Sequence, residues 1–371
     1  MEIRQLIELM LQRKASDLHL RAESIPHIRV NKQLIPVSDV PMSAEETKKI
    51  AYDLMNDEQK EIFSRKKECD SAITFPGLGR FRLNIYQQKN GINIAFRYVP
   101  MKIPTFADLN LPSAVSKLAE NYRGLILVTG PTGCGKSSTL AAMIDYINTT
   151  RACHIITIED PIEFIHMDKR SIISQRELGI DTTSYQDALR HVVRQNPDVI
   201  LIGEMRDLET MSAALIAAQL GHLVLSTVHT IDTVQTISRI VDLFPPHQQN
   251  QIRLQLADTL KGVISQRLLP CAKTDGMIPA VEILVVTPLI RKHIEDNNLS
   301  EIPALIKQGQ YYGMQLFNQS LLQLYREGKI TLETALQAAS SPEELMLSIR
   351  GIQTSTESSA SQIIERFDKS K

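Results

Sequence analysis

Residues 124–139, GLILVTGPTGCGKSST, decide the fold. An apolar strand, Leu125 to Val128, runs into a glycine-rich loop, and a helix is expected from Ser137 onward. The loop meets the pattern G-x-x-x-x-G-K-[ST] at Gly130, Gly135, Lys136 and Ser137. In such a loop the glycines let backbone N–H groups wrap phosphates, the lysine reaches the β and γ phosphates, and the serine hydroxyl ligates magnesium. The helix that follows adds the positive end of its dipole. ATP and Mg2+ are the ligands implied, held by Gly130, Pro131, Thr132, Gly133, Cys134, Gly135, Lys136, Ser137 and Ser138. Cys134 reads as a small space-filling residue, because only thiolate character would make it reactive.

Three further apolar runs follow: HIITIED (154–160), DVILIGE (198–204) and HLVLSTVHT (222–230). Runs apolar at nearly every position indicate strands buried on both faces, as in a parallel sheet covered by helices. Residues 116–287 therefore read as an α/β core. In such sheets ligands sit beyond the carboxyl ends of the strands, and polar residues gather at those ends here. Glu159, Asp160 and Glu163 fall on a turn at Pro161, where they are expected to hold a metal-bound water or the outer shell of the metal. Glu204 ends the run NPDVILIG, one residue later than the usual magnesium-holding aspartate. There it is expected to polarise the attacking water as general base. His229, closing LSTVHT, is placed to sense or bond the γ-phosphate, whereas His222 at the opposite strand end reads as structural.

Ahead of this core, residues 1–100 read as a small α+β domain. Ile3, Leu6, Ile7, Met10 and Leu11 have helical spacing. LGRFRLNIYQQKNGINIAFRYVP (78–100) alternates apolar and polar residues around Lys89-Asn90-Gly91, which predicts an antiparallel hairpin bearing Arg80, Arg82 and Arg97. An arginine from a neighbouring domain or subunit commonly meets the charge that develops on a transferred phosphoryl group. VPMKIPTFADLNLP, with its three prolines, suggests an extended linker over 101–115. Past residue 288 a series of short amphipathic helices is expected, with Thr331 and Ser341 as N-caps, and residues 353–371 as a flexible tail.

Composition removes other classes. Forty-one basic against 42 acidic side chains leave no net field for nucleic acid, so no such partner is expected. No apolar run approaches the ~20 residues of a membrane span. Cys69, Cys134, Cys153 and Cys271 form no CxxC pair, so reduced thiols fit better than a zinc site or a disulfide framework.

Seven motifs in order, ASDLHL, RFRLN, FRYVP, GPTGCGKSST, IEDPIE, NPDVILIGEMRD and LSTVHT, resemble the secretion ATPases of type IV pili and type II secretion. Within them YYGMQLFNQSLLQLYREGKIT resembles the pilus retraction motors, and the four-cysteine zinc insertion usual in assembly motors is absent. The resemblance implies a RecA-like P-loop ATPase core (116–287), a PAS-like α+β N-terminal domain (1–100), a helical C-terminal region (288–352) and a homohexamer. It also implies a motor peripheral to the membrane, at the cytoplasmic face of the inner membrane. The partners would be a platform protein and the pilus machinery. Accessory retraction ATPases and assembly ATPases are the alternatives. Motif by motif, Glu163, Glu204 and His229 carry over as functional residues, Glu163 also at the metal. Arg82 and Arg97 carry over as phosphate-contacting arginines, and glycine at position 203 is itself a trait of the family.

Overall fold

The computed structural model describes residues 2–30, 33–89, 91–99, 102–274 and 276–351. The expected tail and Asn90 of the hairpin turn lie outside them. The chain forms two compact units, one of residues 1–102 with 163–165, the other of 103–162 with the rest.

In the first unit, helix α1 (Ile3–Gln12) precedes strands β1 (Asp17–Leu20), β2 (His27–Val30) and β3 (Gln33–Pro36). Helices α2 (Ala44–Leu54) and α3 (Asp57–Lys66) then lead to β4 (Glu68–Phe75), β5 (Gly79–Gln88) and β6 (Gly91–Val99). The described strands make one six-stranded sheet, β3-β2-β1-β6-β5-β4. The alternation in residues 78–100 does form the predicted antiparallel hairpin, β5 with β6. Phe81, Leu83 and Ile85 point into the core with Leu6, Ile7 and Met10 of α1. The sequence reading passed over α2 and α3, although both carry capping boxes, Ser43 with Glu46 and Asn56 with Gln59.

The second unit opens with α4 (Ser113–Ala119), β7 (Gly124–Thr129), α5 (Lys136–Thr150), β8 (His154–Glu159), β9 (Ile172–Glu177), α6 (Tyr185–Val192) and β10 (Val199–Ile202). It continues with α7 (Leu208–Gln219), β11 (Leu223–Val228), α8 (Thr233–Asp242), α9 (Pro246–Thr259), β12 (Leu260–Pro270) and β13 (Met277–Val285). It closes with α10 (Pro288–Glu295), α11 (Ile302–Gln308), α12 (Phe317–Arg326), α13 (Leu332–Ala338) and α14 (Pro342–Ile349).

Among the described residues the sheet order is β13-β12-β7-β11-β10-β8-β9. The four apolar runs pair in parallel, as read from their composition. Successive side chains feed opposite cores. Leu125 and Leu127 join the cluster under α7, α8 and α9. Ile126 and Val128 join the one under α4 and α5. The mixed α/β class is thus as expected, with a helical region behind it in which Thr331 and Ser341 accept from the backbone N–H groups of Thr334 and Glu344. One stretch differs. Residues 113–115, assigned to an extended linker because prolines crowd it, begin α4, and Ala114, Val115, Leu118 and Ala119 are buried. Prolines punctuate this stretch, but burial of Phe106, Leu111 and α4 against the sheet decides its conformation.

Candidate active site

The phosphate loop hangs between a fully buried strand, β7, and the 15-residue helix α5. Gly130 (φ 136°) and Gly135 (φ 93°) take backbone conformations that other residues rarely adopt. A Cβ on Gly130 would lie 2.4 Å from the Gln266 carbonyl oxygen and 2.7 Å from Cys134 Sγ. At Gly133 and Gly135 a Cβ would enter open space. The loop is therefore packed against β12 on one side and bare on the other, a cradle in which a phosphate fits. Lys136 is nearly buried, and its ammonium donates to the carbonyls of Gly130 (2.9 Å) and Pro131 (3.0 Å). Burial holds its pKa below the usual lysine value, and a polyanion bound in the loop would favour its charged form. Cys134 is 3% exposed and burial pushes its thiol pKa up, in keeping with a packing role.

Two other strand ends bring their residues to the same edge. Beyond β10 the backbone stays in the sheet: Gly203 N–H donates to the Ile158 carbonyl at 2.8 Å, Met205 N–H to that of Thr227 at 3.0 Å. That fixes Glu204, whose carboxylate accepts from Arg206 Nε at 2.7 Å and lies 3.5 Å from His229 Nε2. Glu204 and Lys136 also attract each other electrostatically. The loop, Glu204 and His229 thus share the carboxyl edge of one sheet. His222 donates through Nδ1–H to the Pro197 carbonyl, 2.8 Å away, a structural bond.

Gly203 has a packing reason. A Cβ there would stand 2.9 Å from the Tyr185 hydroxyl and 3.3 Å from the Cα of Glu159. Tyr185 is wedged in this corner, where burial and the carboxylates of Glu204, Asp160 and Glu159 push its phenol pKa up. An aspartate at 203 has no room and would add a further negative charge. Gly203→Ala is expected to lose about 1–3 kcal/mol of stability through overpacking, read from a urea melt. A variant as stable as the parent would mean that Tyr185 swings clear.

The carboxylates after β8 do not behave as one box. Glu159 accepts from Thr157 Oγ1 at 2.7 Å and from Gln175 Nε2 at 3.3 Å, bonds within its own sheet. Glu163 belongs with the first unit and accepts from Arg82 at 3.0 Å. Among the described residues no three His, Cys, Asp or Glu are grouped to hold a metal. Glu159 and Glu163 are thus engaged with different partners, each keeping lone pairs with which it could accept from a metal-bound water. Magnesium needs no such cage, since it keeps several waters and takes phosphate oxygens with one or two protein ligands, and the Ser137 hydroxyl at the start of α5 suits it.

Arg82 and Arg97 stand directly opposite each other in the β5–β6 ladder. Like charges so placed repel, and each is met by a carboxylate. Arg97 Nε donates to Asp17 at 2.9 Å, and Arg82 to Glu163. Burial alone would raise the pKa of Asp17, but hydrogen bonds from Ser16 and Arg97 outweigh it and hold the carboxyl below its usual range. Sequence reading missed three participants: Arg206, visible two residues after Glu204; Tyr185, which gave no signal; and β12. From β12, Ser265 accepts from Thr129 and Gln266 donates to Thr139, both at 2.8 Å, under the phosphate loop.

The family model for the type II/IV secretion system protein matches residues 1–346. The chain is 41% identical to the type IV pilus retraction ATPase PilT of Pseudomonas aeruginosa, over 92% of this chain and 99% of that one. It is also 41% identical to the type IV pilus ATPase PilU of the same organism, over 94% and 92%. The crystal structure of the pilus retraction motor PilT with bound ADP matches with a TM-score of 0.88 and 44% identity, covering 93% of this chain and 98% of that one. With a family match across nearly its whole length, the chain belongs to the type II/IV secretion system protein family.

Proposed function

We propose that this protein is an ATP-hydrolysing motor that powers retraction of a type IV pilus, working as a homohexamer on a platform protein at the cytoplasmic face of the inner membrane. The observation that carries the reading is the meeting of the phosphate loop with Glu204 and His229 at one sheet edge. Kinship to a retraction motor over almost its full length supports the direction of force. Among the described residues no helix is long and apolar enough to cross a membrane, which fits a peripheral motor.

The loop N–H groups and Lys136 would bind the β and γ phosphates, and Glu204 would take a proton from the attacking water. Mg2+ on the Ser137 hydroxyl would neutralise charge on the phosphates. Arg206 holds Glu204 in place, and His229 reads the γ-phosphate. Arg82 and Arg97 are proposed as phosphate contacts; each guanidinium has five N–H donors, so a phosphate oxygen could be added to its carboxylate partner or taken in exchange for it. Movement of the first unit on the second would convert this exchange into force, with the hinge ahead of α4.

The test is direct. Purified full-length protein should hydrolyse ATP continuously with Mg2+ present, fall to background with excess EDTA, and show the native mass of six copies. Monomers with no turnover would refute the reading.

A further inference from the structure

Glu282 is a buried acid that the chemistry above does not use. It sits on β13, 7% exposed, and accepts from both the backbone N–H (2.9 Å) and the hydroxyl of Thr233. Thr233 is the first residue of α8, and that helix already has an N-cap: Asp232 accepts from Gln235 N–H at 2.8 Å. Glu282 meets a different donor, the Thr233 N–H, one of the four that a helix start leaves without an intrahelical partner. Burial and then the charge of Asp232 push the Glu282 pKa up against the hydrogen bonds from Thr233. Arg267, on β12, attracts it.

What the bond does is join two segments. The residues between β11 and α8 are 229–232, the loop that delivers His229. Thr230 and Thr236 exchange a hydroxyl bond of 2.7 Å that closes this loop onto α8, and Glu282 ties the start of α8 to the antiparallel pair β12–β13. The same pair underlies the phosphate loop through Ser265 and Gln266. One brace thus touches both the loop that holds phosphate and the loop that carries His229.

We propose that Glu282 is a positioning residue for hydrolysis: by holding Thr233 it fixes the 229–232 loop and sets His229 relative to Glu204 and the phosphate loop. The inference rests on His229 acting in hydrolysis. A misplacement of about 1 Å can cost up to a hundredfold in rate, so loss of one bond in the brace should cost a sizeable part of that.

The test compares Glu282→Met, His229→Ala and the double variant in the full-length chain, with kcat and KM for ATP and a thermal melt for each. Glu282→Met keeps the approximate volume of the side chain and removes the oxygen that accepts both bonds from Thr233. It should lower kcat about tenfold, leave KM within about twofold, and change the His229→Ala enzyme little, the pattern of two residues acting as a unit. Thr233→Val, which removes one donor and leaves Glu282 intact, should show a smaller loss of the same kind and serves if Glu282→Met folds poorly. An undiminished kcat, a loss confined to the melting temperature, or an equal loss in the His229→Ala background would overturn the proposal. If His229→Ala alone keeps full kcat, the assignment of His229 itself is what fails, and the role of Glu282 falls with it.

Discussion

Glu204→Ala is expected to lower ATP turnover by about 10²–10⁴-fold, the usual contribution of a positioned acid or base, with ATP affinity staying within a few-fold of the parent. The carboxylate is fixed from two sides: by the backbone bonds of Gly203 and Met205 and by Arg206 at 2.7 Å. Alanine leaves the backbone placement intact and removes only the carboxylate proposed to accept a proton. Arg206 is 70% exposed on its side chain, so water can solvate it once its partner is gone, and the fold should hardly notice. Single-turnover hydrolysis together with equilibrium binding of ATP separates the two effects. Turnover within a few-fold of the parent would sink the base assignment.

Lys136→Ala acts earlier, on binding. The ammonium bridges two loop carbonyls and is nearly buried. Its removal strips those carbonyls of a donor and takes away the charge proposed to meet the phosphates. Hydrogen bonds to charged groups are worth about 1.5–3 kcal/mol, so loss of the phosphate contact alone predicts an affinity reduced at least tenfold and up to about a hundredfold. Titration with ATP would read this directly, and an unchanged affinity would mean that Lys136 stays on its carbonyls when nucleotide binds. The two substitutions therefore differ in kind: one binds without turning over, the other binds poorly.

The parts of the fold legible in the sequence were those whose signal is local. β7, β8, β10 and β11 are buried on both faces, so their composition alone marks them as central parallel strands. β12 and β9 gave no such signal. Lys261, Ser265, Gln266 and Arg267 interrupt β12, because its polar residues serve the phosphate loop and the C-terminal helices. β9 lies at the sheet edge, and of its six residues only Glu177 is buried.

The site divides the same way. A spacing motif exposes the phosphate loop, and a strand end exposes Glu204 and His229. The partners of Arg82 and Arg97 lie about eighty residues away in the chain, and the fit of Tyr185 over Gly203 depends on helix α6 meeting β10. Contacts of that range follow from tertiary packing and leave no trace in local pattern. The glycine before Glu204 shows the difference well. From sequence it is a departure from the usual aspartate, whereas in the fold it is the residue that the Tyr185 hydroxyl allows.

Retraction by ATP hydrolysis is tested most directly in cells whose chromosomal copy carries Glu204→Ala, by counting surface pili and measuring twitching. A motor that retracts pili predicts more pili than in the parent and no twitching. Bald cells would contradict it and make the protein an assembly motor.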